Sequence, residues 1–183
     1  MLPVKFVIVD TEYGDEDVAA KQGKFSCLFS VAAVVVENLE IQRQLSYLIK
    51  PLYPDQLTPK IMGITGLTPQ HFDDASTAYE PVREVMSLMR NQFVFSWGHI
   101  DSIKLRYWAS VFDIKYPFFK AVDAYSYLLA HDEDTKPRMR DEAARRGLSS
   151  GNHHEALADC LTVLRILTDH EDRLYEAQEE LIL

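Results

Sequence analysis

Cysteine is nearly absent. Cys27 and Cys160 are the two in 183 residues, and they form neither a C-x-x-C pair nor a disulfide framework. That excludes a thiolate zinc site and a disulfide-stapled secreted fold, and it predicts a reducing, cytoplasmic setting. Basic residues are in the minority: 19 Lys and Arg against 28 Asp and Glu, a formal net charge of -9. A protein that grips a long duplex electrostatically is ordinarily basic, so the charge points away from such a partner. It leaves open an enzyme that holds only a strand end, an acidic metal site, or plain solubility. Long hydrophobic runs are also missing. The longest, 28–36, spans nine residues including Ser30, too few to cross a bilayer, and no apolar signal segment precedes Asp10. The expectation is a soluble protein without a membrane partner. There is no internal repeat and no low-complexity segment.

What is present is a chain with 47% hydrophobic composition, which suits a single domain over 1–183 with a sizeable core. Residues 6–10 read as a buried strand, 13–24 as a loop, and 26–37 and 42–50 as two strands joined by the turn Asn38-Leu39-Glu40. Prolines and glycines between 52 and 75 predict loops and short helices. Helical spacing covers 79–90, then a short apolar strand 93–95 leads to a helix over 102–111. A further strand end at 121–123 precedes a helix through 129, and 132–136 reads as polar loop. A helix over 140–146 stops at Gly147, and Ser149-Ser150-Gly151-Asn152 starts a long last helix, 154–170. The acidic stretch 171–183 reads as a C-terminal helical tail. Three antiparallel strands followed by strands alternating with helices predict an α/β fold with a mixed sheet flanked by helices. Ligand sites in such sheets lie at the carboxyl ends of parallel strands.

Three places carry candidate chemistry. Asp10 and Glu12 stand two apart at the end of the first strand, so their side chains share a face. Two like charges beside an apolar strand are costly unless compensated. A hard divalent cation with oxygen ligands does this well, although a lone D-x-E also ends strands that simply meet solvent. In Ser96-Trp97-Gly98-His99-Ile100-Asp101 a strand runs into a glycine turn and an aspartate opens a helix, where aspartate also serves as an ordinary cap. In His153-His154-Glu155-Ala156-Leu157-Ala158-Asp159 the acid sits among small and apolar residues. A metalloprotease H-E-x-x-H reading fails because position 158 is alanine.

Together these segments resemble the DEDDh family of 3′→5′ exonucleases, of the DnaQ-like, RNase T-like superfamily. D-x-E matches Asp10 and Glu12, the post-turn aspartate matches Asp101, and H-x-A-x-x-D matches His154, Ala156 and Asp159. Ile49-Lys50-Pro51 and Ile64-Thr65-Gly66-Leu67-Thr68 look like the family's intervening segments, and Ser96-Trp97-Gly98 is nearest the ERI-1/KapD-like branch. The resemblance covers roughly residues 6–167. It implies an RNase H-like five-stranded sheet, three antiparallel strands then parallel ones. It also implies phosphodiester hydrolysis at the 3′ end of single-stranded RNA or DNA. Asp10, Glu12, Asp101 and Asp159 would then hold two Mg²⁺ or Mn²⁺ ions, which in two-metal sites lie about 3.5–4 Å apart, and His154 would be the general base. On an ideal helix His154 would lie about 140° from Asp159, so it belongs on a frayed first turn or the preceding loop. His99 is a rival base more consistent with local hydrogen bonding, His153 a surface residue, and Glu155 a solvated helix charge.

Substrate contacts are expected from Tyr13 and Trp97, as stacking surfaces, and from Arg138 and Arg140 in the basic island 136–146; core packing and a solvated helix face are the competing readings. The sequence departs from the family in Tyr13-Gly14-Asp15 after the first motif, in Phe29-Ser30-Val31-Ala32, which lacks an acid, and in Cys160. A homodimer is a further expectation, from the apolar end Leu181-Ile182-Leu183. A non-catalytic binding module and a hydrolase of short or cyclic phosphodiesters are the alternatives.

Overall fold

A computed structural model of the protein describes residues 5–115, 117–128, 137–149 and 155–170. The expected tail at 171–183, the loop at 132–136, and His153 and His154 lie outside the described residues.

The β-branched N-terminal run forms β1 (Lys5–Tyr13). It pairs antiparallel with β2 (Leu28–Glu37), which pairs antiparallel with β3 (Glu40–Leu48). Asn38 and Leu39 turn the hairpin at positive φ, 53° and 63°, as a tight two-residue connection requires. β4 (Phe93–Ser96) joins the other side of β1 in parallel, and β5 (Lys120–Asp123) joins β4 in parallel. The order is therefore β3-β2-β1-β4-β5, the mixed five-stranded sheet expected. The helices are α1 (Glu16–Lys21), α2 (Pro59–Thr65), α3 (Tyr79–Leu88), α4 (Ile100–Val111), α5 (Ala124–Leu128), α6 (Met139–Arg145) and α7 (Ala156–Thr168). Among the described residues no helix is long and apolar enough to cross a membrane.

Strand alternation sorts β1 between two cores. Phe6 and Ile8 face α6 and α7, packing with Ala32, Val34, Phe95, Cys160 and Val163. Val7 and Val9 face α3 and α4, packing with Val31, Ala33, Val82, Val85 and Leu105. Each such side chain contributes about 1.5–3 kcal/mol on burial, so β1 is anchored from both sides. The same alternation continues into the polar end of the strand and decides which helix each of its last residues meets.

Several boundaries differ from the sequence reading. β1 continues through Glu12 to Tyr13, because β2 keeps pairing with it as far as Leu28. The expected loop at 13–24 contains α1, capped by Asp15, whose Oδ1 accepts from the amides of Asp17 and Val18. Gly14 fits there for a steric reason: a Cβ would come within 2.6 Å of the Gln56 side chain. β3 stops at Leu48, although the Ile49 amide still donates to the Phe29 carbonyl at 2.9 Å, and Ile49 forms an isolated parallel bridge with Ser76. α4 begins at Ile100 rather than 102, so Asp101 lies in its first turn while His99 takes the cap position. α7 begins at Ala156, with extended Glu155 as its cap, rather than at 154.

Candidate active site

Asp10 and Glu12 follow Phe6 and Ile8 on the α7-facing side of β1, and α7 brings Asp159 to them. One carboxylate oxygen from each of the three lies within 4.8 Å of the others. Thr11, between the two acids, necessarily points the other way, toward α4. There its amide and hydroxyl both donate to Asp101 Oδ1, at 2.9 and 2.7 Å. The first turn of α4 is thus bolted to the end of β1, and the fourth carboxylate stands beside the other three. Cys160 replaces the family's common alanine without disturbing this approach. It is buried, with Sγ 3.8 Å from the carbonyls of Ile8 and Ala32, and acts as a small core residue under α7. Ser30, in the segment lacking an acid, pairs directly across from Glu12.

The electrostatics show a site short of positive charge. Asp10 Oδ2 is buried and accepts no hydrogen bond. Burial, then Asp101, Glu12 and Asp159, hold the Asp10 carboxyl well above the ordinary carboxylate range. Glu12 is pushed up to about 8, first by burial and then by Asp159 and Asp101. Asp101 rises less, to about 6, because the Thr11 hydrogen bonds favour its ionised form against burial. An all-oxygen donor set with an orphaned buried oxygen fits a hard divalent cation such as Mg²⁺ or Mn²⁺.

This arrangement has a consequence for the metal-free protein. Glu12 carries a folded-state value raised from 4.5 to about 8, so the stability it contributes is complete below the lower value. It is lost as pH climbs through the upper one. In chelator the melting temperature is expected to fall as pH goes from about 6 to about 8, and Mg²⁺ or Mn²⁺ to remove most of that fall. Thermal melts across that interval check this; a melting temperature that rises in chelator counts against it.

The four acids line one cavity of about 780 Å³ at the carboxyl ends of β1 and β4. Tyr13, Trp97, Arg138 and Arg140 line it too, with Ile61, Ile64 and Thr65 of α2 opposite. A family model described as RNase_T, Exonuclease, matches residues 7–167. The chain belongs to the RNase_T exonuclease family. No curated protein sequence matches it. Among solved structures it is similar to cell-death related nuclease 4, with a TM-score of 0.74 and 19% identity over 92% of this chain and 64% of that one. It is similar to exonuclease I (TM-score 0.72, 17% identity, 94% of this chain, 42% of that one). It is also similar to the nuclease domain of 3′hExo, a DEDDh family member, bound to rAMP (TM-score 0.68, 20% identity, 92% and 94%). At these identities the likeness is one of fold, and the chain spans less than two thirds of the first two proteins.

Of the remaining candidates of this RNase_T-family chain, Trp97, Arg138 and Arg140 line the cavity, and His99 and Glu155 are not among its lining residues. Trp97 lines it but is also a strut: its Nε1 donates to the Pro137 carbonyl at 3.1 Å and its ring leans on Tyr125. The Trp97 turn is fixed in its own right by Asp123, which accepts from the Gly98 amide at 2.9 Å. Arg138 and Arg140 are exposed at the rim, where Trp97 anchors the start of their segment. The His99 imidazole is exposed and caps nothing; its carbonyl accepts from the Ser102 hydroxyl and the Ile103 amide. Glu155 is exposed, as expected, but at the cap of α7 rather than within it. His154 lies outside the described residues.

Sequence reasoning missed Thr11 and α2. The Ile64-Thr65-Gly66 segment resembles a family segment, yet nothing in its composition places it against the acids. What places it is Asp15, whose carboxylate accepts from the Thr58 hydroxyl at 3.0 Å and so ties the cap of α2 to that of α1.

Proposed function

We propose that the chain is a divalent-metal-dependent 3′→5′ exonuclease acting on single-stranded RNA or DNA. The observation that carries this is the buried, unpartnered Asp10 Oδ2 among four carboxylates, in a chain of the exonuclease family. Structures of similar fold include one bound to rAMP and one in complex with 5′ overhanging duplex DNA. Asp10, Glu12, Asp101 and Asp159 would hold two Mg²⁺ or Mn²⁺ ions. Such ions, when bound, neutralise the scissile phosphate and lower the pKa of water.

The chain's own residues supply the rest. His154 takes the proton of the attacking water. The new phosphorus–oxygen bond displaces the O3′ of the preceding nucleotide, which takes a proton from solvent and leaves as the 3′ hydroxyl of the shortened strand, while the terminal nucleotide departs with its 5′ phosphate. Tyr13 offers a stacking surface for the terminal base, and Arg138 and Arg140 offer charge to the phosphates behind it. Thr11 keeps Asp101 aimed by two hydrogen bonds.

The test uses 5′-labelled single-stranded RNA and DNA with Mg²⁺, Mn²⁺ or EDTA. A ladder shortening from the 3′ end, abolished by EDTA, is expected. Among the described residues the cavity's lining offers two cations, Arg138 and Arg140, which favours a short grip and gives a second reading, a hydrolase of dinucleotides. Cleavage of dinucleotides with longer oligomers untouched would select that reading. Inertness toward both in metal would overturn the hydrolase assignment.

A further inference from the structure

Lys104 stands apart from every residue considered so far. It lies on α4, one turn after Asp101, and is only 1% exposed. A buried lysine needs partners for three N–H groups. Its Nζ donates to Glu16 Oε1 at 2.6 Å and to the Ser26 hydroxyl. The remaining direction is covered by aromatic faces, Tyr13 at 4.1 Å and Phe25 at 4.6 Å from the ring centroids. These partners all come from residues 13–26, the end of β1, α1 and the segment entering β2, at least 78 residues from Lys104 along the chain. The same helix braces that segment again, since Tyr107 stacks on Phe25 at 4.0 Å and Trp108 Nε1 donates to the Ser26 carbonyl at 3.1 Å.

The Glu16 side chain is 60% exposed, so this ion pair by itself contributes little stability. The arrangement has a second consequence, because Tyr13 is at once a cover for the Lys104 ammonium and a wall of the cavity that holds the acids. A cation held against a ring face attracts it and restricts where the ring lies. Lys104 cannot shift to follow a wandering ring, because Glu16 and Ser26 fix its head.

We propose that Lys104 is a positioning residue: it holds the Tyr13 ring at the end of β1 as the surface on which the substrate's 3′-terminal base stacks. This rests on the exonuclease reading. The role belongs to binding of the base and not to bond cleavage.

The experiment compares two oligonucleotides, one with an ordinary 3′-terminal nucleotide and one whose terminal sugar lacks its base. Wild type, Lys104→Met, Lys104→Arg, Tyr13→Leu and the Lys104→Met/Tyr13→Leu pair are measured on both. For Lys104→Met, KM is expected to rise about tenfold on the ordinary end, the low range for a base–aromatic stack. kcat stays within about twofold, and KM on the base-less end does not change. Tyr13→Leu does the same, and the double variant is no worse than either single one, since both remove one interaction. Lys104→Arg recovers most of the effect, because a guanidinium also stacks on an aromatic face. Should Lys104→Met fail to fold, the exposed-side variant Glu16→Ala reads the same device, with a smaller KM rise confined to the ordinary end.

Equal losses on both ends, additive effects in the double variant, or a wild-type KM indifferent to the terminal base would each overturn the positioning role while leaving the exonuclease intact. A wild type that shortens neither strand would overturn the exonuclease reading, and this one with it.

Discussion

Asparagine in place of Asp10 is expected to abolish metal-dependent shortening while raising the melting temperature of the metal-free protein. The two effects have one origin. Asp10 Oδ2 is buried without a hydrogen-bond partner, and three other carboxylates raise the free energy of its charge. An amide of the same shape removes that repulsion, so the metal-free fold gains on the order of 1 kcal/mol, or about 2–4 °C for a chain of this size. With metal the balance inverts, since an amide is a poorer ligand for a hard cation and the site loses a unit of negative charge. Charge stabilisation by such ions is worth several kcal/mol, so kcat should fall by at least about 10³-fold. Thermal melts with and without Mn²⁺, run beside the shortening assay, read both. A variant that is less stable without metal, or that still cleaves, would sink this account of the site.

The second large effect is expected from His154→Ala. A positioned base contributes about 10²–10⁴-fold to a hydrolysis of this kind, and kcat should fall within that range. The four carboxylates remain, so the metal-induced rise in melting temperature should be undiminished, which separates this variant from Asp10→Asn. The pH profile separates it further. A wild-type rate that depends on a neutral imidazole declines toward acid pH, and the alanine variant should lose that limb. An unchanged kcat would remove His154 from the mechanism, and a lost metal response would make it a ligand or a structural residue.

The sequence was most informative where geometry has a fixed short period. Asp10 and Glu12 share a face because strands alternate, and no partner needs to be known for that. The hairpin at Asn38 and Leu39 was legible from local turn chemistry, and β4 and β5 from apolar runs followed by helical spacing. The α1 helix was not, because six residues are too few for periodicity to register. Its signal was an Asp15 cap with an acidic first turn. Thr11 was passed over because it lies between two acids and points away from both; its role exists only because α4 crosses that face of the sheet. Trp97 carried a similar ambiguity. As an aromatic beside a strand end it reads equally as core or as a base platform, and the bond to the Pro137 carbonyl, forty residues on, shows a strut at the cavity wall. Lys104 is the extreme case: the side chains that surround it come from residues 13–26, at least 78 residues away along the chain.

The path of the chain through the site has one more consequence. Asp10 and Glu12 come from the first described strand, Asp101 from the middle of the chain, and Asp159 from α7, the last described helix, which packs over β1 and β2. Proteins emerge N-terminus first during synthesis. A nascent copy therefore carries two of the carboxylates until Asp101 is made, and it gains the fourth only when α7 has been made and docks. On the exonuclease reading, this connectivity keeps the site incomplete, and so unarmed, until α7 has been made.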